Sequence, residues 1–340
     1  MPPVAKNRRP RATSYDVATA AGVAQSTVSR CFQPGSNISD ETREIVLATA
    51  ARLGYAPNAL ARSLITRRSH AVGVLITRYT LRSAPALLYT LGDALARAGQ
   101  HMILLAVDDD ASVKPVLHGL VGYPLDGLIA CATMDDDDVR RFTDQGVAVL
   151  FFNRQPGGIA VDAVSTDHAA GAQALAQGML AAGRKHFLCL GGPREAPVGR
   201  ERIEGFQKAL RAAGLPACQV LDGGFSYDQA HEVFLQAVDS GANPDAVFCA
   251  NDQMAMAVID ACRHRLGWDI PKRLMVAGFD DVPEGARAPY TLTTVRQPID
   301  EMARRAMEML QARRLQPGGR PRQERLPGEV VLRGSASWPA

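Results

Sequence analysis

The chain has 340 residues, 46% of them hydrophobic, and a formal net charge of +3. That length predicts two or three domains with room for real cores, and no apolar run reaches the roughly 18 residues of a transmembrane helix. The basic, polar beginning of the chain carries no apolar stretch of the secretory kind, which predicts a cytoplasmic protein with no membrane partner.

The charge is uneven. Residues 1–70 carry ten Lys and Arg against four Asp and Glu, net +6, while the remainder nets −3. A basic head on a mildly acidic body points to a polyanion as partner, with a merely solvated basic tail as the bland alternative. Six cysteines stand at 31, 131, 189, 218, 249 and 262, without a CxxC pair. Cys131, Cys189 and Cys249 sit inside apolar runs as small buried hydrophobes, and all six are read as reduced and structural, with a redox sensor among them as the alternative. No spacing of metal-ligating residues stands out, so no metal and no cofactor are expected.

Residues 1–12 are Pro- and Arg-rich without periodicity and read as a disordered basic arm. Thr13 to Asp16 fit a capping box, with Thr13 as N-cap and Asp16 in place of Glu at N3. The helix it starts should run to about Ala21, where Gly22 permits a tight turn. A second helix should run from Ala24 or Gln25 to about Cys31, with Pro34-Gly35 beyond it. Ser39 caps a third, Asp40 to Leu53, with Gly54 as its stop. Two short helices joined by a glycine turn, followed by a third, make the helix-turn-helix pattern. Val17, Ala18, Ala21, Val23 and Val28 supply its small apolar contacts. Gln25, Ser26, Ser29 and Arg30 lie on the outward side of the second helix, where donors and acceptors reach base edges or phosphates. An ordinary small helical bundle would show the same periodicity.

The segment from Pro57 to Leu64 is shorter than the 12–15 residues or so that an isolated helix needs in water. It reads as a linker that orders on contact. Ala61 and Leu64 share a helical face, and a Leu tip can wedge between base steps in a minor groove.

These residues carry a resemblance. The strings Tyr15-Asp16-Val17-Ala18, Ala21-Gly22-Val23, Thr27-Val28-Ser29-Arg30, Thr42-Arg43, Leu53-Gly54-Tyr55, Pro57-Asn58 and Ala61-Arg62-Ser63-Leu64 occur in order and at the right spacing. Residues 13–64 thereby resemble the DNA-binding headpiece of the lactose-repressor/galactose-repressor family. Ala24 departs from the pattern, standing where the family usually has a capping Ser. The resemblance implies that Gln25 and Ser26 read bases in the major groove. It implies that Arg30 meets a base or phosphate, that Thr13, Tyr15, Thr27, Ser29 and Asn58 hold the DNA backbone, and that Ala61 and Leu64 enter the minor groove.

Further along, apolar runs at Val72–Ile76, His101–Val107, Gly127–Cys131 and Val147–Phe152 form one series. Phe187–Leu190, Val220–Leu221, Ala246–Cys249 and Leu274–Phe279 form a second. A helix to Ala98 is expected after the first run, joined to it by a turn over Arg78 to Arg82. Strands alternating with helices imply parallel sheets with helices on both faces, and two series imply two α/β lobes. Ligands of such sheets bind at the carboxyl ends of the strands, so a cleft between lobes is the default site. The strand ends offer Arg78, Asp108, Asn153, Arg202, Asn251 and Asp280. The acidic run Asp135 to Asp138 reads as the cap of the next helix.

The same resemblance extends over the body through Gly191-Gly192-Pro193, Arg202-Ile203-Glu204-Gly205-Phe206, Asn251-Asp252-Gln253-Met254-Ala255, Gly278-Phe279-Asp280-Asp281, Leu292 to Pro298 and Val330 to Arg333. It implies a periplasmic-binding-protein-like core, so that the fold class is an all-α helix-turn-helix headpiece plus a two-lobed parallel-sheet α/β core. The implied divisions are an arm at 1–12, a DNA-binding domain at 13–56, a hinge helix and linker at 57–69, and a core at 70–340. Within the core, the N-lobe takes about 70–167 and 297–327, and the C-lobe about 168–296 and 328–340. Arg202, Asn251 and Asp280 would hydrogen-bond a small effector, often a sugar. Phe225 would stack on it, and Asn153, Gln297 and Arg78 are weaker candidates. The residues Arg78 to Arg82 depart from the family's usual small polar run. With Arg154 and Arg202 nearby they would suit a sugar acid or sugar phosphate, unless Arg78 and Arg82 simply face solvent or the dimer partner.

The function implied is a sequence-specific transcriptional regulator, a repressor in the first instance, with a sugar or sugar-derived acid as effector. A homodimer on pseudo-palindromic operator DNA is expected, rather than a tetramer, because the chain ends soon after Arg333. A ligand-controlled activator uses the same head, and a sugar-binding protein without a regulatory role shares the body. An enzyme finds no support: GxGxxG, GxSxG, GxxxxGK[ST] and HExxH are all missing, and His231-Glu232 is followed by Leu235 where a second His would be needed.

Overall fold

The computed structural model describes residues 12–32, 35–56 and 68–338. The basic arm up to residue 11, Pro34, and the linker residues Asn58, Ala61 and Leu64 lie outside the described residues. The chain forms two compact units, Met1–Ser69 and His70–Ala340.

Among its described residues the small unit has three helices: α1 (Ser14–Ala21), α2 (Gln25–Cys31) and α3 (Asp40–Leu53). The capping box forms: Asp16 N donates to Thr13 Oγ1 at 3.3 Å, and Thr13 N donates to Asp16 Oδ2 at 2.8 Å. Gly22 ends α1 at φ 69°, the left-handed conformation the turn into α2 requires. Ser39 caps α3 through Thr42 N. Ala24, as its side chain dictates, caps nothing. Val17, Ala18, Val28, Cys31, Val46 and Ala50 form the core of this unit.

The large unit is built on two parallel sheets. The first runs β11-β5-β4-β3-β1-β2, with β1 at Ala71–Thr77, β2 at His101–Val107, β3 at Gly127–Cys131, β4 at Ala148–Phe152, β5 at Asp162–Thr166 and β11 at Gln323–Leu326. The second runs β7-β6-β8-β9, with β6 at Phe187–Gly191, β7 at Gln219–Asp222, β8 at Ala246–Cys249 and β9 at Met275–Ala277. A short antiparallel pair joins β10 (Thr294–Arg296) to β12 (Glu329–Val331). Each sheet carries an apolar cluster on either face, as parallel sheets covered by helices must.

The chain passes between the sheets after β5, after β10 and between β11 and β12. One latch holds distant parts of the first sheet. Arg313 donates Nε and Nη2 to the two oxygens of buried Asp162, both at 3.0 Å, and Arg322 N donates to Asp162 Oδ1 at 2.8 Å.

Two local expectations are corrected. The stretch after β1 is a short helix, Arg78–Ser83, capped by Thr77, whose Oγ1 accepts from Thr80 N at 3.2 Å. It is separate from the following helix, Pro85–Arg97, because proline at residue 85 disfavours helical backbone at Ala84 before it. β5 and β11 are additional strands that the apolar runs do not announce.

Candidate functional site

In the small unit, the polar residues of α2 stand on an open surface. Ser26 and Arg30 are exposed, and their side chains make no hydrogen bond to another described residue. Gln25 is partly buried and donates Nε2 to Ser14 Oγ at 3.1 Å, which steadies the start of α2 against α1. Thr27 and Ser29 are partly buried, and Tyr15 is 71% exposed. Hydrogen bonds from Thr13 hold the Asp16 carboxyl below the usual carboxylate range. Arg43 of α3 plays a part the sequence did not reveal. Its Nη1 donates to Cys31 O at 2.7 Å and its Nη2 to Ser36 O at 3.2 Å, fixing the exit of α2. The surface is thus a rigid short helix carrying unspent donors and acceptors.

In the large unit a cavity of about 440 Å³ opens at the carboxyl ends of the strands. Its lining comes from the residues just past β1 (Tyr79, Thr80), β2 (Asp108, Asp109, Asp110), β4 (Asn153, Arg154), β6 (Pro193), β7 (Phe225), β8 (Asn251), β9 (Asp280) and β10 (Gln297). Glu195, Pro197, Val198 and Arg202 complete one wall.

A chain of polar contacts runs through this lining. Thr166 Oγ1 and Asn153 Nδ2 both donate to Gln297 Oε1, at 2.9 and 2.7 Å. Gln297 Nε2 donates to Asp280 Oδ1 at 2.7 Å, and Arg202 Nη2 meets the same oxygen at 2.9 Å. Arg202 also donates Nη1 to Ala250 O at 2.6 Å and Nε to His168 Nδ1 at 3.3 Å, with its guanidinium 3.9 Å from the centre of the Phe279 ring. Asp280 is buried, which raises its carboxyl, and the Arg202 charge opposes that shift. Burial, then the Arg202 charge, pushes His168 well below the usual imidazole range, so it stands neutral and accepts from Arg202.

Behind this chain, Asp252 is fully buried. It accepts from Thr294 Oγ1 at 2.6 Å and from Val282 N at 2.8 Å. Burial, followed by the neighbouring Asp280 charge, pushes its carboxyl up to about 7.

The backbone is strained where the cavity is made. Asn153 (φ 54°), Phe225 (φ 52°) and Asp280 (φ 124°) all adopt left-handed conformations without being glycine. Such residues cost about 1–3 kcal/mol each and persist where surrounding structure dictates them. Phe225 fits only because position 192 has no side chain: a Cβ on Gly192 would lie 2.2 Å from the ring. Opposite, the Tyr79 ring meets Phe225 at 4.6 Å between centroids and closes one end of the cavity.

Arg202, Asn251, Asp280, Phe225, Asn153 and Gln297 are therefore brought together. Asn251 is also the N-cap of the helix Asp252–Ala261, its Oδ1 accepting from Met254 N at 3.0 Å, so part of its polarity is already used. Arg78 is not brought in. It lies outside the lining, ion-paired with Asp108 on the surface, and Arg82 is exposed. Arg154 does reach the cavity, donating to Asn153 O and Thr80 Oγ1 at 2.9 and 3.0 Å, while its buried Nε has no partner among the described residues. Tyr79, Thr166 and His168 belong to the site and were not singled out from the sequence; their only signal is position at or just past a strand end.

Known proteins share these features. Residues 13–58 match the pattern described as bacterial regulatory proteins, lacI family, and residues 176–336 match a periplasmic binding protein-like domain. The ribose operon repressor of Bacillus subtilis is 30% identical over 88% of this chain and 90% of its own length. Among solved structures, the lac repressor dimer bound to operator and the anti-inducer ONPF has a TM-score of 0.86 at 25% identity. That match covers 96% of this chain and 99% of the repressor. The complex of the transcriptional regulator CelR with cellobiose has a TM-score of 0.71 at 27% identity, covering 96% of this chain and all of its own. No helix among the described residues is long and apolar enough to cross a membrane. With a matching head, a matching core and 30% identity to a regulator along most of its length, the chain belongs to the lacI family of bacterial regulatory proteins, transcription regulators rather than enzymes.

Proposed function

We propose that this regulator is a cytoplasmic homodimeric repressor that leaves or holds its operator according to a sugar-class ligand bound in the cavity of the large unit. The observation that carries the ligand part is the cavity itself. It gathers polar groups from six strand ends around a 440 Å³ space with an aromatic wall. Planar rings and aligned donors of this kind recognise the apolar faces and hydroxyls of a sugar. Arg202, Asn251, Asp280, Asn153 and Gln297 are the hydrogen-bonding set and Phe225 the stacking ring. Between a sugar and a sugar acid, the neutral sugar is favoured. Arg78 is spent on Asp108 and Arg202 on Asp280, while Asp109, Asp110 and Glu195 outnumber Arg154 in the same space.

On the DNA side, Gln25 and Ser26 read bases, and Arg30 meets a base or phosphate. Thr13, Tyr15, Thr27, Ser29 and Asn58 hold the DNA backbone, and Ala61 and Leu64 enter the minor groove. Two heads on a two-fold axis would meet inverted half-sites. Thermal-shift measurements across neutral sugars, sugar acids and sugar phosphates test the cavity. Stabilisation by a neutral sugar that vanishes in Asn251→Ala and Asp280→Asn is expected. Stabilisation by anionic sugars alone would reverse the preference, and none by any member would remove the sugar reading.

A further inference from the structure

Cys189 lies within β6 and is fully buried, while Cys218 stands one residue before β7, the parallel neighbour of β6, and is only partly buried. Their sulfur atoms are 3.0 Å apart. The Cys218 side opens on a surface hollow of about 460 Å³, lined also by Lys185, His186, Leu215, Gln219 and Pro244. Neither cysteine lines the cavity described above. One sulfur is reachable from solvent, and the other is reachable only through the first.

We propose that Cys218 and Cys189 are a modification site, forming a reversible intramolecular disulfide when the protein meets a hydroperoxide. The asymmetry assigns the roles. The hydrogen bond from Cys189 holds the Cys218 thiol below its ordinary range, and burial pushes Cys189 well above it. The reactive thiolate is therefore the accessible one.

Cys218 Sγ attacks a peroxide oxygen: an S–O bond forms, the O–O bond breaks, and hydroxide or alkoxide leaves and takes up a proton. Cys189 Sγ then attacks Cys218 Sγ. An S–S bond forms, the S–O bond breaks, and water leaves with the Cys189 proton. One hydroperoxide gains two electrons and two thiols lose them. The sulfurs need approach by only about 1 Å to reach a disulfide length of about 2.0 Å, and a dithiol reverses the bond by exchange. β6 continues into Gly192-Pro193 and β7 into Gly223 to Phe225, so the crosslink would join the two strands that support one wall of the cavity.

The full-length reduced protein, treated with graded hydrogen peroxide, blocked with N-ethylmaleimide and digested, gives the answer by mass spectrometry. A peptide pair linked through Cys189 and Cys218 is expected, two hydrogens lighter than its parts and released by dithiothreitol. It should persist in Cys262→Ser. In Cys189→Ser, with no second thiol to resolve it, dimedone should label Cys218. The proposal fails if Cys218 in the wild-type protein remains alkylatable at peroxide levels that oxidise the urea-denatured chain. It fails equally if Cys218 advances to sulfinic acid without the linked pair. The wild-type map decides by itself, whether or not the variants fold.

Discussion

The two polar surfaces of this molecule are built on opposite plans. On α2, Ser26 and Arg30 stand exposed, their side chains without a described partner. In the cavity, Asn153, Gln297, Asp280, Arg202 and His168 are buried and already bonded to one another. A nucleic acid adds contacts to the first surface. A ligand in the second must exchange contacts with a network already bonded through most of its groups, at a cost for every bond it displaces, although His168 Nε2 and Arg154 Nε are buried without a partner among the described residues. The small unit can therefore lose a reading residue and keep its fold, whereas the large unit ties its ligand groups to its own stability.

Substitutions can break that contrast. The largest effect is expected at the Arg202–Asp280 pair. Arg202→Ala leaves a buried carboxylate facing Gln297 alone, and such losses cost about 3–5 kcal/mol. Urea denaturation of the large unit should show it, while Ser26→Ala stays within about 0.5 kcal/mol of wild type. If the two variants proved equally stable, the contrast would collapse.

The second effect concerns pH. Asp252 sits at about 7 in the folded protein against 3.8 for an ordinary aspartate carboxyl. Between those values the folded state holds a proton that the unfolded state has lost, so Asp252 contributes stability at low pH that drains away as pH rises to 7. The neutral His168 works the other way, its contribution lost as pH falls below the ordinary imidazole value. The difference between wild type and Asp252→Asn isolates the carboxyl. Relative to that variant, the wild-type melting point should fall between pH 4 and 7, by the equivalent of roughly 2–4 kcal/mol. A difference independent of pH would mean that Asp252 is ionised throughout.

Third, Gln25→Ala should shift the preferred base at one operator position by about 1–3 kcal/mol, with the melting of the large unit unchanged. Selection of bound sequences from a random library reads this, and recovery of the wild-type operator would take Gln25 out of the reading set. The smallest effect is expected at Ser39, whose hydroxyl caps α3. Ser39→Ala should cost about 1 kcal/mol of helix stability, lowering operator affinity evenly across sequences, because α3 holds α2 through Arg43. A change of sequence preference instead would mean that the cap tunes recognition.

The sequence made the small unit legible almost to the residue, because caps and glycine stops are local chemistry: Thr13, Gly22, Ser39 and Gly54 each act within four residues. The strands that were missed fail for a physical reason. β5 carries polar residues in its buried run, Asp162 at one end and Ser165-Thr166 at the other, and the aspartate is hidden only because Arg313 meets it from far along the chain. β11 reads Gln323-Glu324-Arg325-Leu326 and is an edge strand that pairs on one side only. The cavity residues were legible as strand ends. Their mutual bonds were not: nothing in the sequence shows that Arg202 meets Asp280, or that Arg78 turns out to Asp108. Cys189 reads as a small hydrophobe within an apolar run and Cys218 as one more reduced, structural cysteine, and only the pairing of β6 with β7 brings them together.

The latch between Asp162 and the stretch from Arg313 to Arg322 also bears on how the molecule is made. β11 takes its place beside β5 only after the whole second sheet has been synthesised, since β6 to β9 lie between them in the chain. On the ribosome the first sheet must wait with an open edge and an unpaired Asp162 while those residues emerge. Pairings this distant in sequence are slow to form and leave strand edges exposed to other chains. The nascent polypeptide thus lacks a complete cavity until Gln297 has emerged, after β1 to β9 have all left the ribosome.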